Sequence, residues 1–298
     1  MKSVYRIITV AIMLILLAVS AFATGQPTVS IEYSAGKTRF DFYRLADFSE
    51  EDGITLTKIF SGYKNELPSL DSLGSLDAEQ SRILASTAEA VVIRDNITPV
   101  YSQSSDDMGK LSLTGIEKGV YLVVGQKSSD GQYVYTPSPL IVSVPYYDIH
   151  GNLQYNVSIA HNKLEKEEIT ETYVKYKVIK LWKDSGSKKS RPTEIDVLLY
   201  KNSEHVQTVT LNAGNNWSYE WTALDNGDYW AVIEKKVPVN YVMSVEKEQT
   251  CFYVTNTYKG PPPPDRLPST GQLWWPVPLL IILGMISLML GLSKSREV

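Results

Sequence analysis

Short runs of alternating apolar and polar residues fill the middle of this chain. From Thr28 to Tyr33, an extended backbone places Val29, Ile31 and Tyr33 on one side, with Ser30 and Glu32 on the other. Arg39 to Ala46, Val120 to Val124, Leu140 to Val144 and Tyr155 to Ala160 read likewise as strands. They are rich in the Tyr, Val and Thr that suit a pleated, half-buried surface. Turn signals at Ser129–Gly131 and His150–Asn152 separate them. Between Asp77 and Val92 the period changes. Ile83, Leu84, Ala88, Val91 and Val92 fall close to helical spacing, and Asp77 is placed as the N-cap. The pattern predicts a β-rich domain with one helix over residues 27–163. A charged stretch, 164–172, reads as a linker, with a strand extension or short helix as the alternative, and a second β domain covers 173–259.

The two ends break this pattern. Lys2 and Arg6 precede the apolar run Ile7 to Val19, and Ala21 and Ala23 flank Phe22 in a small-x-small site. That order reads as a secretory signal peptide over residues 1–23. At the other end, Pro261 to Pro264 open a Pro-rich wall spacer, 260–266, expected to extend as a polyproline stalk. Leu267, Pro268, Ser269, Thr270 and Gly271 follow, then an apolar stretch 273–292 long enough to span a bilayer, then Lys294 and Arg296. LPSTG before an apolar span and a basic tail resembles the LPxTG sorting signal of Gram-positive surface proteins. The resemblance implies that a sortase cleaves between Thr270 and Gly271. It then joins the Thr270 carboxyl to peptidoglycan through a thioester intermediate. Residues 267–298 are the sorting signal on this reading.

Composition adds little until the ends are removed. The 298 residues carry a net charge of −4. Losing Lys2, Arg6, Lys294, Arg296 and Glu297 takes residues 24–270 to −7. An acidic exported chain is not built for nucleic acid, so no nucleic-acid partner is expected. Three scattered histidines and one cysteine leave little material for a metal site, and no cofactor is expected. Lone Cys251 makes an intramolecular disulfide impossible and is expected to be a buried small apolar residue. No phosphate loop, dinucleotide fingerprint or nucleophile elbow occurs, which favours a non-enzymatic chain.

The second domain carries the most specific internal signal. Its segments are Val178–Asp184, Arg191–Thr193, Ile195–Tyr200, Asn216–Tyr219, Val232–Tyr241 and Val254–Tyr258. Their order resembles the Cna B-type domain of Gram-positive adhesins and pilins. The resemblance implies an immunoglobulin-like sandwich with an internal isopeptide bond between Lys180 and Asn256, promoted by Glu234. The residue pattern agrees with such a role. Lys180 is in phase with Val178 and Trp182, Glu234 with Val232 and Trp230, and Asn256 with Val254 and Tyr258. Ile179 and Leu181 are apolar too, which leaves the facing of the first strand open. Desolvation favours a neutral, nucleophilic lysine and a protonated glutamate.

The first domain resembles the N-terminal module of pilin-like surface proteins. Phe42–Asp47, Gly115–Val123, Leu140–Pro145 and Tyr155–Ile159 carry that likeness. In backbone pilins, a lysine at this point joins the next subunit's sorting signal. Here its place is taken by Asn162, with Lys163 one residue later as a candidate pilin lysine. The expected chain is therefore mainly β. It has two tandem immunoglobulin-like sandwiches, flanked by a signal peptide and a transmembrane sorting helix. The expected function is a sortase-anchored cell-wall stalk or adhesin. A sortase-polymerised pilus subunit, shaft or basal, is the alternative. The expected partners are sortase and peptidoglycan, then other pilin subunits or an extracellular host ligand.

Overall fold

A computed structural model describes residues 26–161, 164–170, 172–184 and 190–260. The signal peptide, Lys163, the proline run, Leu267–Gly271 and the apolar span lie outside the described residues. The first part runs β1 (Thr28–Tyr33), β2 (Arg39–Ser49), β3 (Gly53–Leu56), α1 (Ala78–Arg94), β4 (Tyr101–Ser104), β5 (Lys110–Thr114) and β6 (Gly119–Gly125). It continues through β7 (Ser128–Ser129), β8 (Tyr133–Pro137), β9 (Leu140–Val144), β10 (Tyr146–Tyr147), β11 (Leu153–Gln154), β12 (Asn156–His161) and β13 (Leu164–Glu168). The second part runs β14 (Tyr173–Lys183), β15 (Glu194–Lys201), β16 (Glu204–Asn212), β17 (Ser218–Leu224), β18 (Trp230–Glu234), β19 (Tyr241–Glu248) and β20 (Cys251–Tyr258).

In the first part, one sheet has the order β12-β1-β5 and a second the order β3-β2-β6-β9, with β4 paired to β2. Val29, Ile31, Phe40, Phe42, Tyr121 and Val123 fill the core of this part. The alternate residues of β2 and β6, among them Leu45, Val120 and Leu122, belong to a separate core with α1. Strand β6 is therefore apolar throughout, because both of its faces are covered. Helix α1 begins where the sequence places it. Asp77 Oδ1 accepts from the Gln80 N–H at 2.7 Å, and Gln80 Oε1 accepts from the Asp77 N–H at 3.0 Å, a reciprocal capping box.

The charged segment read as a linker departs from expectation. Leu164–Glu168 forms β13, antiparallel to β8. It is an edge strand of its sheet, and an edge needs only backbone pairing, so charged residues are tolerated there. Cys251 is half-buried at the start of β20 rather than fully buried.

The second part is a two-layer, immunoglobulin-like sandwich. One sheet has the order β17-β14-β20-β19 and the other β16-β15-β18. Helix α1 packs on β18 and β19 as well as on β6 and β9, so its apolar face joins the sandwich core in one buried cluster. Strand β19 is an edge strand whose open side is satisfied from outside. The Val245 N–H donates to Thr87 Oγ1 at 2.9 Å, and the Met243 N–H donates to the Asn65 carbonyl at 2.8 Å. Thr87→Val keeps the shape and removes that acceptor. It is expected to destabilise the chain by about 1–3 kcal/mol, through one buried N–H left unpaired. Urea unfolding reads the loss, and faster hydrogen exchange at Val245 locates it.

Candidate functional site

Strands β14 and β20 run parallel as neighbours, with Lys180 opposite Val254 and Trp182 opposite Asn256. Paired residues of a ladder project to the same side, so Lys180 and Asn256 share one face as diagonal neighbours. That face is the inner one. Val178 and Lys180 are buried, while Leu181 is exposed, which fixes the orientation that the sequence left open. Glu234 is the last residue of β18 in the other sheet, opposite Val197 of β15. The sandwich thus brings three polar residues, 54 and 76 positions from Lys180 to the other two, into one core.

Relative exposure is 3% for Lys180 and 0% for both Glu234 and Asn256, so bulk water does not solvate them. Lys180 Nζ lies 3.2 Å from Glu234 Oε2 and 4.6 Å from the centre of the Trp182 ring. Glu234 Oε1 and both polar atoms of the Asn256 carboxamide make no hydrogen bond. Leaving such groups unsatisfied in a core is costly and uncommon. Burial, the main cause, pulls the Lys180 ammonium down to about 8, against the opposing attraction of Glu234. Burial likewise pushes the Glu234 carboxyl up. Lys180 offsets part of that rise, and a nearby Asn256 offsets a smaller part. Both partners are driven toward their neutral forms. The arrangement can therefore present an amine nucleophile, a carboxylic acid and a carboxamide to one another in a water-excluded core.

Sequence reasoning named these three residues but missed their supports. Asp184, just past β14, is buried and accepts from Arg191 Nε and Nη2, and from the Tyr241 hydroxyl at 3.1 Å. Burial first, then Asp184, pushes the Tyr241 hydroxyl up to about 12, so it stays a donor. The Trp182 ring meets Trp217 and Tyr241 edge-on at 5.3 and 5.2 Å. These contacts fix the end of β14 beyond Lys180. A second support comes from α1. Arg94 Nη1 donates to the Glu234 main-chain carbonyl at 3.2 Å, and Arg94 Nη2 lies 3.5 Å from Glu66 Oε1. Arg94 and Glu234 are 140 positions apart, and no local pattern marks the pair. Lys163 and Leu267–Gly271 cannot be placed relative to this cluster, because they lie outside the described residues.

Comparison with known proteins finds partial similarities. A stretch of 93 residues is 34% identical to the collagen adhesin of Staphylococcus aureus, covering 28% of this chain. The chain spans only 8% of the length of that curated relative. Among solved structures, a single B repeat unit of the S. aureus collagen-binding surface protein aligns at 16% identity and a TM-score of 0.28. That alignment covers 80% of this chain and 100% of that one. The full-length major pilin SpaD of Corynebacterium diphtheriae aligns at 11% identity and a TM-score of 0.28, over 78% of this chain and 98% of that one. Residues 176–257 match the family model of the Cna protein B-type domain, a span that contains Lys180, Glu234 and Asn256.

Proposed function

We propose that this chain is a non-enzymatic, sortase-anchored surface protein of the Gram-positive cell wall. It is a stalk or adhesin unit whose second sandwich closes an amide between Lys180 and Asn256. The observation that carries this reading is the buried cluster itself. A lysine and a glutamate are pushed toward neutrality beside a carboxamide that has no hydrogen bond.

In the step proposed, neutral Lys180 Nζ attacks the Asn256 carboxamide carbon. Protonated Glu234 polarises the carboxamide oxygen and relays an amine proton to Asn256 Nδ2. The new N–C bond forms, the C–Nδ2 bond breaks, and nitrogen leaves as ammonia. Nothing is oxidised or reduced, and the reaction occurs once per molecule. Intact mass of the folded exported chain tests it. Wild type is expected to be lighter than its sequence by one ammonia, and Glu234→Ala to carry the full mass. A wild-type chain at full mass would falsify the cross-link.

The sorting signal supplies the anchor. Sortase acts transiently at Thr270, and peptidoglycan is then attached through the Thr270 carboxyl. Thr270→Ala is expected to move the protein out of the covalent wall fraction, as read by release with muramidase. Partners beyond the wall are an extracellular ligand or other pilin subunits. If Lys163 joins subunits, detergent-resistant ladders form and disappear with Lys163→Ala. A single wall-linked band marks a stand-alone stalk.

A further inference from the structure

The carboxylate that would serve the cross-link sits at a strand end on a sheet edge. Glu234 is the last residue of β18, and β18 is an edge strand of its sheet. Strand ends at an edge open more readily than the strand interior. A shift there moves the Glu234 side chain relative to Lys180 and Asn256. The support against that shift comes from the helix-bearing first part of the chain. Arg94, at the last turn of α1, donates to the Glu234 carbonyl at 3.2 Å. Its guanidinium is held in turn by Asp95 at 2.7 Å and Glu66 at 3.5 Å, and it packs over the Tyr63 ring at 5.9 Å. Arg94 and Glu66 are about nine-tenths buried, at 10% and 11% side-chain exposure, so water does not compete freely for these contacts. Thr87 and Asn65 meanwhile hold the neighbouring edge of β19.

We infer that Arg94 and Glu66 are positioning residues for Glu234, so that the Lys180–Asn256 cross-link closes efficiently only once the first part of the chain has docked on the sandwich. This rests on the cross-linking reading above and deepens it. Maturation of the stalk is then conditional on folding of the part it carries. A chain whose first part is misfolded cross-links more slowly, and so stays open for longer to unfolding and proteolysis. The groups facing Glu234 are Lys180 from β14, Asn256 from β20, Glu66 from the segment before α1, and Arg94 with its partner Asp95 from the end of α1. Burial is the main cause of the rise of the Glu234 carboxyl, and the negative charge of Glu66 adds a small further upward push.

The test follows cross-linking in time. Residues 24–270 are recovered uncross-linked in denaturant and refolded at a series of pH values, and samples are quenched for intact mass. Arg94→Ala is expected to slow ammonia loss by about tenfold, the scale on which small misplacements of a reacting group act. Arg94→Lys is expected to restore part of the rate, because it keeps a cationic donor. Glu66→Gln, nearly isosteric, is expected to shift the alkaline fall of the rate to lower pH. A cross-linked wild type whose Arg94→Ala and Glu66→Gln variants close at the wild-type rate, with unmoved pH profiles, overturns the inference alone. A wild type that never loses ammonia overturns the cross-link and this inference together.

Discussion

A chain carrying Lys180→Met is expected to lose about 4–5 kcal/mol of unfolding free energy relative to the cross-linked wild type. The bond would tie residues 76 positions apart, and closing a loop of that size removes this much entropy from the unfolded ensemble by the treatment used for disulfides. Against a typical total of about 5–15 kcal/mol, the loss is more than a quarter of the margin. Methionine fills the lysine stem without a charge, so the measured change reflects the bond rather than a cavity. The deficit also depends on pH. Without Lys180, burial holds the Glu234 carboxyl above the range of the unfolded chain, and the attraction that lowered it is gone. Between the unfolded and folded values, the native state binds more protons than the unfolded one. Stability therefore falls as pH rises through that window, by up to about 1.4 kcal/mol per pH unit. Urea midpoints followed by tryptophan fluorescence from pH 5 to pH 8 read both effects. A variant with the wild-type midpoint throughout contradicts the cross-link.

Where one face of an element meets solvent, the sequence was easy to read. Strand β1 alternates cleanly, with Val29, Ile31 and Tyr33 inward, because its other face is only half covered. Helix α1 was legible from its spacing and from Asp77, since a capping box is a local device. Elements covered on both sides were harder. All five residues of β18 are buried, because α1 lies on the face that an isolated sandwich would leave open. Alternation therefore could not single out Glu234, and it was found through the family resemblance. In β14 the apolar residues Ile179 and Leu181 obscured the phase, which only pairing with β17 and β20 resolves. Strand β13 is only the alternative to a linker in the sequence, because its charges suggest solvent and backbone pairing leaves no side-chain pattern. Arg94 and Glu66 were invisible for a different reason. Their part in the site comes from docking between two halves of the chain, and nothing within a local window encodes that.

Pulling the chain from its two ends is expected to give the largest difference between cross-linked and uncross-linked molecules. Tension applied at Thr270 enters the sandwich at Tyr258, the end of β20, and leaves at Tyr173, the start of β14. These strands are parallel neighbours pulled from opposite ends, so their ladder is loaded in shear and its hydrogen bonds share the load. A Lys180–Asn256 amide changes the path. Only residues 257 and 258 can peel from β20 before the covalent bond bears the force, which then passes back along β14 from Lys180. Residues 181–255, which include β15 to β19, drop out of the load path. At about 3.3–3.6 Å per extended residue, those 75 residues represent about 250–270 Å of hidden length. Force spectroscopy on wild type is expected never to release that length, whereas Lys180→Met is expected to release it in one step as the sandwich opens. Equal release from both chains contradicts the cross-link. Hidden length in the wild type means that the sandwich cannot be pulled apart without breaking an amide. Its hydrogen bonds then need only hold the fold at rest, and the first part of the chain becomes the part that yields under load.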